Sequence, residues 1–186
     1  MKSTQRNRKS PRRVRFGKAS DVPNSPLPCL VFRNILPASR SKKAEAFRKA
    51  FRRNGWVGIW TDTIYDYTHF HSNAHEVLGI AEGTVTLRVG GETGRLLRLE
   101  AGDMLVLPAG VGHRRVSHDE RLRVVGAYPP GQAHFDMKRK GRRVPRVPLP
   151  ETDPLEGETG AVPRIWREES SSVQAHRQLS NRLLRR

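Results

Sequence analysis

Short apolar runs separated by glycine-containing turns fill the sequence between residues 56 and 128. The runs have the alternation and the β-branched and aromatic content of strands, and the breaks between them have the composition of turns. They read WVGIWTDTIYDY, EVLGIA, TVTLRV, LLRL, MLVL and LRVVGAY. RVGGETGRLL has the form of a β-hairpin. Many short, closely spaced strands are typical of a β-sandwich or barrel, so we predict an all-β domain.

One helix is predicted before the strands, in the stretch SKKAEAFRKAFRRNGW. Ala44, Phe47 and Phe51 recur at helical spacing, and Gly55 provides a stop after the last turn. The prediction is a helix over 41–53, with its apolar face on the strands.

Composition divides the chain into four parts. Residues 1–22 are basic and poor in large apolar side chains, so we expect a flexible, disordered tail. Residues 23–136 form the predicted domain, and 137–166 are expected to be a Pro-rich strap that packs on it. Residues 167–186 are polar and are predicted to be a loose tail.

The net charge of +17 suggests nucleic-acid binding until its distribution is considered. Residues 56–136 carry seven Lys and Arg against ten Asp and Glu, so the positive charge lies on the flanks. The basic runs contain no recognised nucleic-acid motif and no interleaved aromatic residues. We therefore expect non-specific contact of the basic tails with polyanions and no specific nucleic-acid binding.

Two further classes are excluded by the sequence pattern. No apolar run approaches the roughly 18 residues of a membrane span, and no apolar segment follows the basic N-terminus as in a secretory signal. The single cysteine, Cys29, has no partner for a disulfide or a cysteine metal site. A cytoplasmic protein without membrane association is expected.

HFHSNAHE, residues 69–76, holds three of the seven histidines of the chain. In an extended segment His69 and His71 lie on one face. The SNA turn allows Glu76 to begin the next strand and face the same space, and GDMLVLPAGVGH brings His113 there from another strand end. Three neutral imidazoles and one carboxylate suit a divalent first-row metal.

Strand alternation also predicts residues beside the metal. Counting back from His69 by twos gives Tyr67, Tyr65 and Thr63 on the same face. Tyr67, the nearest of them to the metal, would either donate a proton or hydrogen bond to a substrate oxygen or pack as a ring. Counting forward from His113 gives Arg115, which would either bind an anionic substrate or form a salt bridge at the rim. His75 precedes Glu76, so we expect it to face away from the ligands in a structural role.

The histidines fall in two motifs of the cupin superfamily. The first, G(X)5HXH(X)3,4E(X)6G, is matched from its HXH onward by His69, His71, Glu76 and Gly83. The second, G(X)5PXG(X)2H(X)3N, is matched by Gly102, Pro108, Gly110 and His113. The departures are Thr63 for the opening Gly and Ser117 for the final Asn, and neither position is a ligand.

Most of the chain resembles the small single-domain bacterial cupins of the YjlB type. The resemblance rests on PNSPLPCLVFR, RRNGW, YDYTHFHSNAHEVLGIA, AGDMLVLPAGVGHRR, VVGAYPPGQ and LPETDPLEGETGAVPRIW. It implies a conical double-stranded β-helix, the jelly-roll barrel of cupins, with one N-terminal α-helix. It also implies a homodimer and a metal held by His69, His71, Glu76 and His113.

The ligand types do not select among manganese, iron, nickel, zinc and cobalt. We expect a metal-dependent enzyme that acts on a small oxygen-rich or anionic molecule as a dioxygenase-like oxidoreductase, a lyase (decarboxylase) or an isomerase. The alternative is a non-enzymatic cupin that senses a small ligand or a metal.

Overall fold

A computed structural model describes residues 10–143 and 146–183 of the chain. Within these residues the elements are, in order, β1 (Arg12–Val14), β2 (Cys29–Phe32), α1 (Lys43–Arg53), β3 (Val57–Asp62), β4 (Glu76–Glu82), β5 (Thr84–Val89), β6 (Arg95–Glu100), β7 (Met104–Leu107), β8 (His113–His118), β9 (Arg123–Tyr128) and α2 (Ala161–Leu183). The predicted hairpin is formed by β5 and β6, and the predicted helix over 41–53 corresponds to α1.

The strands form two antiparallel sheets. The larger sheet has the order β1-β2-β7-β4-β9-β3, and the smaller has the order β6-β5-β8. Apolar side chains from both sheets meet in one buried cluster that includes Val31, Leu78, Leu87, Leu99 and Leu105. The two sheets therefore enclose the core of the predicted all-β jelly roll between them.

Strand β4 is buried on both faces because helices cover the outside of the larger sheet. Leu78 and Ile80 join the cluster between the sheets, whereas Val77 and Ala81 join a second cluster that contains Phe47 of α1. Gly79 lies directly below the Phe47 ring, and a Cβ atom at this position would be 2.8 Å from it. A glycine in β4 therefore allows α1 to approach the sheet closely.

The prediction of disorder over 1–22 is wrong for the part that the structure describes. Residues 12–14 form β1, which pairs with β2 through Arg12 and Val31, Arg13 and Leu30, and Val14 and Cys29. The Val14 side chain is buried in the core. Val22 is also buried and Phe16 packs against the core, so a few apolar side chains and a strand ladder order this segment. Residues 1–9 lie outside the described part.

The prediction of a loose tail over 167–186 is also wrong as far as residue 183, because α2 continues to Leu183. Val162, Ile165 and Trp166 are buried at helical spacing in the second cluster, and Trp166 Nε1 donates to the Pro28 carbonyl at 2.9 Å. Beyond this apolar face, Glu169 accepts hydrogen bonds from Arg13 and Arg15. Packing of the first turns of α2 on the domain forms the start of the helix, and the helix then continues into a largely polar sequence.

The Pro-rich segment 137–166 contacts the barrel near both of its ends. Lys138 and Phe70 exchange two backbone hydrogen bonds of 2.9 Å. Near the other end, the Thr152 hydroxyl donates to the Asn54 carbonyl at 2.8 Å, and Asn54 Nδ2 donates to the Pro154 carbonyl at 2.9 Å. The Asp153 carboxylate also accepts the backbone N–H of Val162, which holds the start of α2. In the described part of the chain, neither helix has the long apolar stretch that a membrane span requires.

Replacement of Gly79 by alanine tests the packing of α1 on the sheet. The added methyl group would overlap the buried Phe47 ring, so we expect Gly79→Ala to lower the free energy of unfolding by about 1–3 kcal/mol. Urea unfolding followed by circular dichroism measures the change. Gly17→Ala is the control, because a Cβ there meets no atom within 4 Å. Equal stability of the two variants would contradict this account.

Candidate metal centre

The four predicted ligands line one cavity between the two sheets, with a volume of about 290 Å³. His69, His71, Glu76 and His113 are each at most 5% exposed. The described residues that sequence analysis predicted to be a metal site are therefore brought together and removed from bulk water.

Strand ends place these side chains. Glu76 is the first residue of β4, where it pairs with Leu107, and it precedes the inward-facing Leu78 by two positions. His113 is the first residue of β8. His69 exchanges backbone hydrogen bonds of 3.2 and 2.9 Å with His113, which brings the HFH segment against the start of β8.

Backbone carbonyls orient all three imidazoles. The Nδ1 atom of His69, His71 and His113 lies within hydrogen-bonding distance of the carbonyl oxygens of Tyr67, Asp136 and Val111, respectively. A carbonyl only accepts hydrogen bonds, so each Nδ1 carries the proton. In the neutral ring the Nε2 atom is then unprotonated and carries the lone pair that a metal ligand must provide.

Glu76 has one satisfied oxygen and one unsatisfied oxygen. Its Oε1 accepts a hydrogen bond of 2.9 Å from the Tyr128 hydroxyl. Its Oε2 is buried, lies 3.3 Å from His113 Nε2 and 3.5 Å from His71 Nε2, and forms no hydrogen bond. An imidazole that carries its single proton on Nδ1 has none on Nε2 to give to this oxygen. A buried carboxylate oxygen without a donor is costly, and a cation would relieve the cost.

The distances between the candidate ligand atoms agree in part with those found around a bound metal ion. Ligands that hold an ion at 2.0–2.2 Å lie roughly 3.0–3.6 Å from one another, and both distances from Glu76 Oε2 are in this range. However, no three His, Cys, Asp or Glu side chains in the described residues already surround a single point as bound ligands do. Binding of an ion would therefore require these side chains to adjust.

The pKa shifts in the cavity reflect burial and mutual proximity. Burial, reinforced by the neighbouring His113, lowers the pKa of His69 to about 3, so this ring is neutral at pH 7. Burial alone would raise the pKa of Glu76, but the imidazoles of His113 and His71 outweigh it and hold this pKa below its usual range. Burial opposes the charged form of His71, yet the Glu76 carboxylate raises its pKa. Glu76 is therefore ionised, and a proton on His71 would compete with a metal.

Tyr67 does not line the cavity, contrary to the prediction. Its hydroxyl lies 3.6 Å from Met137 Sδ, and the Arg139 guanidinium lies 4.2 Å above its ring. Alternation fails at Tyr67, although Tyr65 and Thr63, counted in the same way, do line the cavity. The reason is that β3 ends at Asp62, and the residues between it and His69 form no strand and bend at Asp66 and Tyr67.

Arg115 does not line the cavity either. Its Nε donates a hydrogen bond of 2.9 Å to the Ile64 carbonyl, and its backbone N–H donates to the Tyr65 carbonyl. The pairing of β5 with β8 changes register between Thr86 and Leu87, beside Arg115, so counting by twos from His113 is unreliable.

His75 has the structural environment that its position predicts. Its Nδ1 accepts the Ala109 N–H at 3.0 Å, and its Nε2 lies 3.2 Å from the Pro148 carbonyl. The ring packs against Trp166 of α2 with a centroid distance of 4.7 Å. Burial lowers the pKa of His75 to about 4, so the ring is neutral and joins the barrel to the C-terminal segment.

Sequence reasoning missed Tyr128, the residue that contacts Glu76 directly. Tyr128 ends β9, which lies beside β4 in the larger sheet. The aromatic residue at the end of the VVGAYPP run was visible in the sequence, but the strand order that brings it next to Glu76 was not. Trp60, Phe135 and Met137 also line the cavity and were not predicted to do so.

A two-sheet β-barrel with three histidines and one glutamate at the ends of its strands has the features of a cupin. The family model described as "Cupin domain" matches residues 56–128. The chain is also 33% identical over 154 residues to "Uncharacterized protein YjlB" of Bacillus subtilis (strain 168), an alignment that covers 78% of this chain and 90% of that protein. The chain therefore belongs to the cupin family, as a member of the YjlB type.

Solved structures with a similar fold are more distant. Procruciferin, an 11S globulin from Brassica napus, is 17% identical, with a TM-score of 0.36 and coverage of 44% of this chain and 21% of that chain. Acireductone dioxygenase from Bacillus anthracis, with a cadmium ion in its active centre, is 19% identical, with a TM-score of 0.39 and coverage of 56% and 79%.

Replacement of His75 by alanine tests its structural role. The change leaves the Ala109 N–H without its acceptor and opens a cavity beside Trp166, so we expect the free energy of unfolding to fall by about 2–4 kcal/mol. Chemical denaturation measures the loss. His118→Ala, at an exposed position of β8, should change the stability little, and an equally mild effect at His75 would argue against the role.

Proposed function

We propose that this cupin binds a divalent transition metal through His69, His71, Glu76 and His113, and that the bound metal acts on a small oxygen-bearing molecule. The observation that carries the proposal is the buried Oε2 of Glu76, which forms no hydrogen bond and lies 3.3 and 3.5 Å from the Nε2 atoms of His113 and His71. A cation is the group that would satisfy this set of donors.

The roles of the chain's own residues follow from their contacts. The three imidazoles supply neutral donors whose orientation is fixed by backbone carbonyls, and Glu76 supplies the negative charge. Tyr128 donates a hydrogen bond to Glu76 Oε1 and so orients the carboxylate. The metal, which could be manganese, iron, nickel, zinc or cobalt, would contribute Lewis-acid or redox chemistry. Dioxygenase, decarboxylase and isomerase reactions are all compatible with these ligands.

A non-enzymatic cupin that senses a small ligand or a metal is the second candidate. It is favoured by one observation: Tyr67 and Arg115, the two residues predicted to act on a substrate, lie outside the cavity. Turnover of a substrate by the metal-loaded protein would support the enzyme, whereas ligand-dependent stabilisation without turnover would support the sensor.

The cytoplasmic location and the homodimer belong to the same proposal. Both are inferred from the sequence and its resemblance. Sedimentation of the purified protein measures the number of subunits directly.

The metal content of purified protein tests the proposed site. We expect near-stoichiometric metal in the parent and almost none in the double variant His71→Ala, Glu76→Ala, because it removes an imidazole and the carboxylate. The proteins are prepared without chelator or nickel affinity resin and are measured by elemental analysis. Added metal at 100 times its Kd should also raise the free energy of unfolding of the parent by about 2.7 kcal/mol.

The matched control is His118→Ala, Glu120→Ala, which removes the same side-chain types from exposed positions. It should keep the metal content of the parent. A metal-free parent that gains no stability from manganese, iron, nickel, zinc or cobalt would refute the proposal. Equal metal content in both double variants would show that any metal is bound elsewhere.

Replacement of Tyr128 by phenylalanine tests the support of Glu76. Loss of the hydroxyl leaves Oε1 without its donor, so we expect the metal affinity to fall about 10–100-fold while the fold is retained. Competition with a chelator of known affinity measures the change. Tyr65→Phe removes a hydroxyl from a half-exposed ring at the same cavity and should leave the affinity unchanged. An unchanged affinity in Tyr128→Phe would exclude this role.

A further inference from the structure

The walls of the cavity beside the four donors are largely apolar. The apolar and aromatic side chains that line it, apart from Tyr128, are Trp60, Ile64, Tyr65, Leu78, Phe135 and Met137. Asp62 is the second carboxylate in the lining, and none of the described lining residues is Lys or Arg. The prediction of an anionic ligand depended on Arg115, and without a cation in the walls it loses its support.

Exposed apolar side chains are concentrated at this cavity. Among the described residues, five large hydrophobic side chains are exposed, and three of them line the cavity: Tyr65 at 50%, Phe135 at 37% and Met137 at 42%. Exposed apolar surface that is grouped at a concave site is a mark of ligand binding. These three residues therefore form an apolar rim at the entrance, which we call the aromatic rim.

A rigid segment holds two residues of the aromatic rim in place. The Asp136 carboxylate accepts hydrogen bonds from the Ser72 N–H at 2.6 Å and the Ser72 hydroxyl at 2.5 Å. Asn73 accepts the Asp136 N–H at 2.8 Å. Asp136 is thus bonded to the turn that follows His71, whereas its neighbours Phe135 and Met137 line the cavity. The anchored segment presents these two side chains without a further ordering cost.

Phe135 forms a flat surface inside the entrance. Its ring stacks on Tyr128 with a centroid distance of 4.0 Å and an interplanar angle of 17°. Its edge meets His71 at a centroid distance of 5.1 Å. The stacked pair extends from Tyr128, whose hydroxyl donates to the Glu76 carboxylate, to the exposed rim, so a planar ligand that contacts Phe135 also lies close to the donors.

We propose that the cavity takes a small, uncharged ligand with an aromatic or similarly flat unsaturated ring, which lies against Phe135 and the aromatic rim and directs an oxygen atom to the metal donors. This inference rests on the proposed function for the role of that oxygen. A volume of about 290 Å³ is at the lower end of ligand pockets and limits the ligand to a small molecule. A compact dianion would meet two carboxylates and no cationic side chain.

Catechol and oxalate are the two probes. Both present two oxygens on adjacent carbons to a metal. Catechol reaches the cavity as a neutral molecule with a flat apolar ring and releases a proton to solvent when its oxygen binds the metal, whereas oxalate arrives as a dianion without an apolar face. Zinc-loaded protein is used because zinc has no redox chemistry. Calorimetry under anaerobic conditions should show at least tenfold tighter binding of catechol than of oxalate. Tighter binding of oxalate would overturn the proposal.

Phe135→Ala tests the ring contact. We expect catechol to bind about tenfold more weakly to the variant and oxalate to bind as it does to the parent. Met137→Ala, with a smaller expected loss, provides a second variant should the first be unstable. Leu96→Ala removes an exposed apolar side chain of β6 that is not part of the cavity lining, and it should bind both probes as the parent does. Unchanged catechol affinity in both rim variants would overturn the proposal.

Metal content, measured in every sample, separates this inference from the proposed function. If the parent binds none of manganese, iron, nickel, zinc and cobalt, the proposed function fails, and thermal stabilisation of the metal-free protein still tests the ring contact: catechol should stabilise the parent more than oxalate does and more than it stabilises Phe135→Ala. If the parent holds zinc but does not prefer catechol, this inference alone fails. If Phe135→Ala changes the number of subunits and not the catechol affinity, the rim contacts a second copy of the chain and the proposal is overturned.

Discussion

The burial of the Glu76 carboxylate is the constraint that determines which groups must surround it in the cavity. An ionised group at the inner face of a β-barrel is unstable unless other groups compensate its charge. Tyr128 satisfies one of its oxygens, and the Nε2 atoms of His71 and His113 approach the other, which forms no hydrogen bond. Backbone carbonyls at Nδ1 turn these Nε2 atoms towards the carboxylate, and the unsatisfied oxygen between them is the main physical argument for the proposed metal site.

Sequence reasoning found the four donors because their positions depend on local features. His69, His71 and Glu76 lie within one short stretch, and His113 follows a Pro-Gly turn at the start of a strand. Strand alternation failed at Tyr67 and Arg115, since the chain is irregular before the first histidine and the register changes beside the second. Tyr128 could not be found at all, because its position depends on the order of strands in the sheet.

The ends of the chain show a second limit of sequence patterns. The basic composition of the first residues and the polar composition of the last both predict disorder, yet β1 and α2 are ordered. Each has a short apolar anchor, Val14 in one case and the face around Trp166 in the other. The two segments also contact each other through Glu169, which accepts hydrogen bonds from Arg13 of β1 and from Arg15, just after it. Burial of a few side chains is enough to order a terminal segment when strand pairing or helix propagation adds to the stability.

His71 contacts both the Glu76 carboxylate and the segment at the entrance of the cavity. Its Nε2 faces Glu76, and its Nδ1 contacts the backbone carbonyl of Asp136, which lies between the two entrance residues Phe135 and Met137. A change in the entrance segment would therefore also change the orientation of this imidazole, so at the proposed site ligand selectivity and metal affinity would be coupled. Divergence of ligand choice among related chains would be restricted to substitutions that keep this carbonyl in place, and an engineer who redesigns the entrance should preserve Ser72 and Asp136 first.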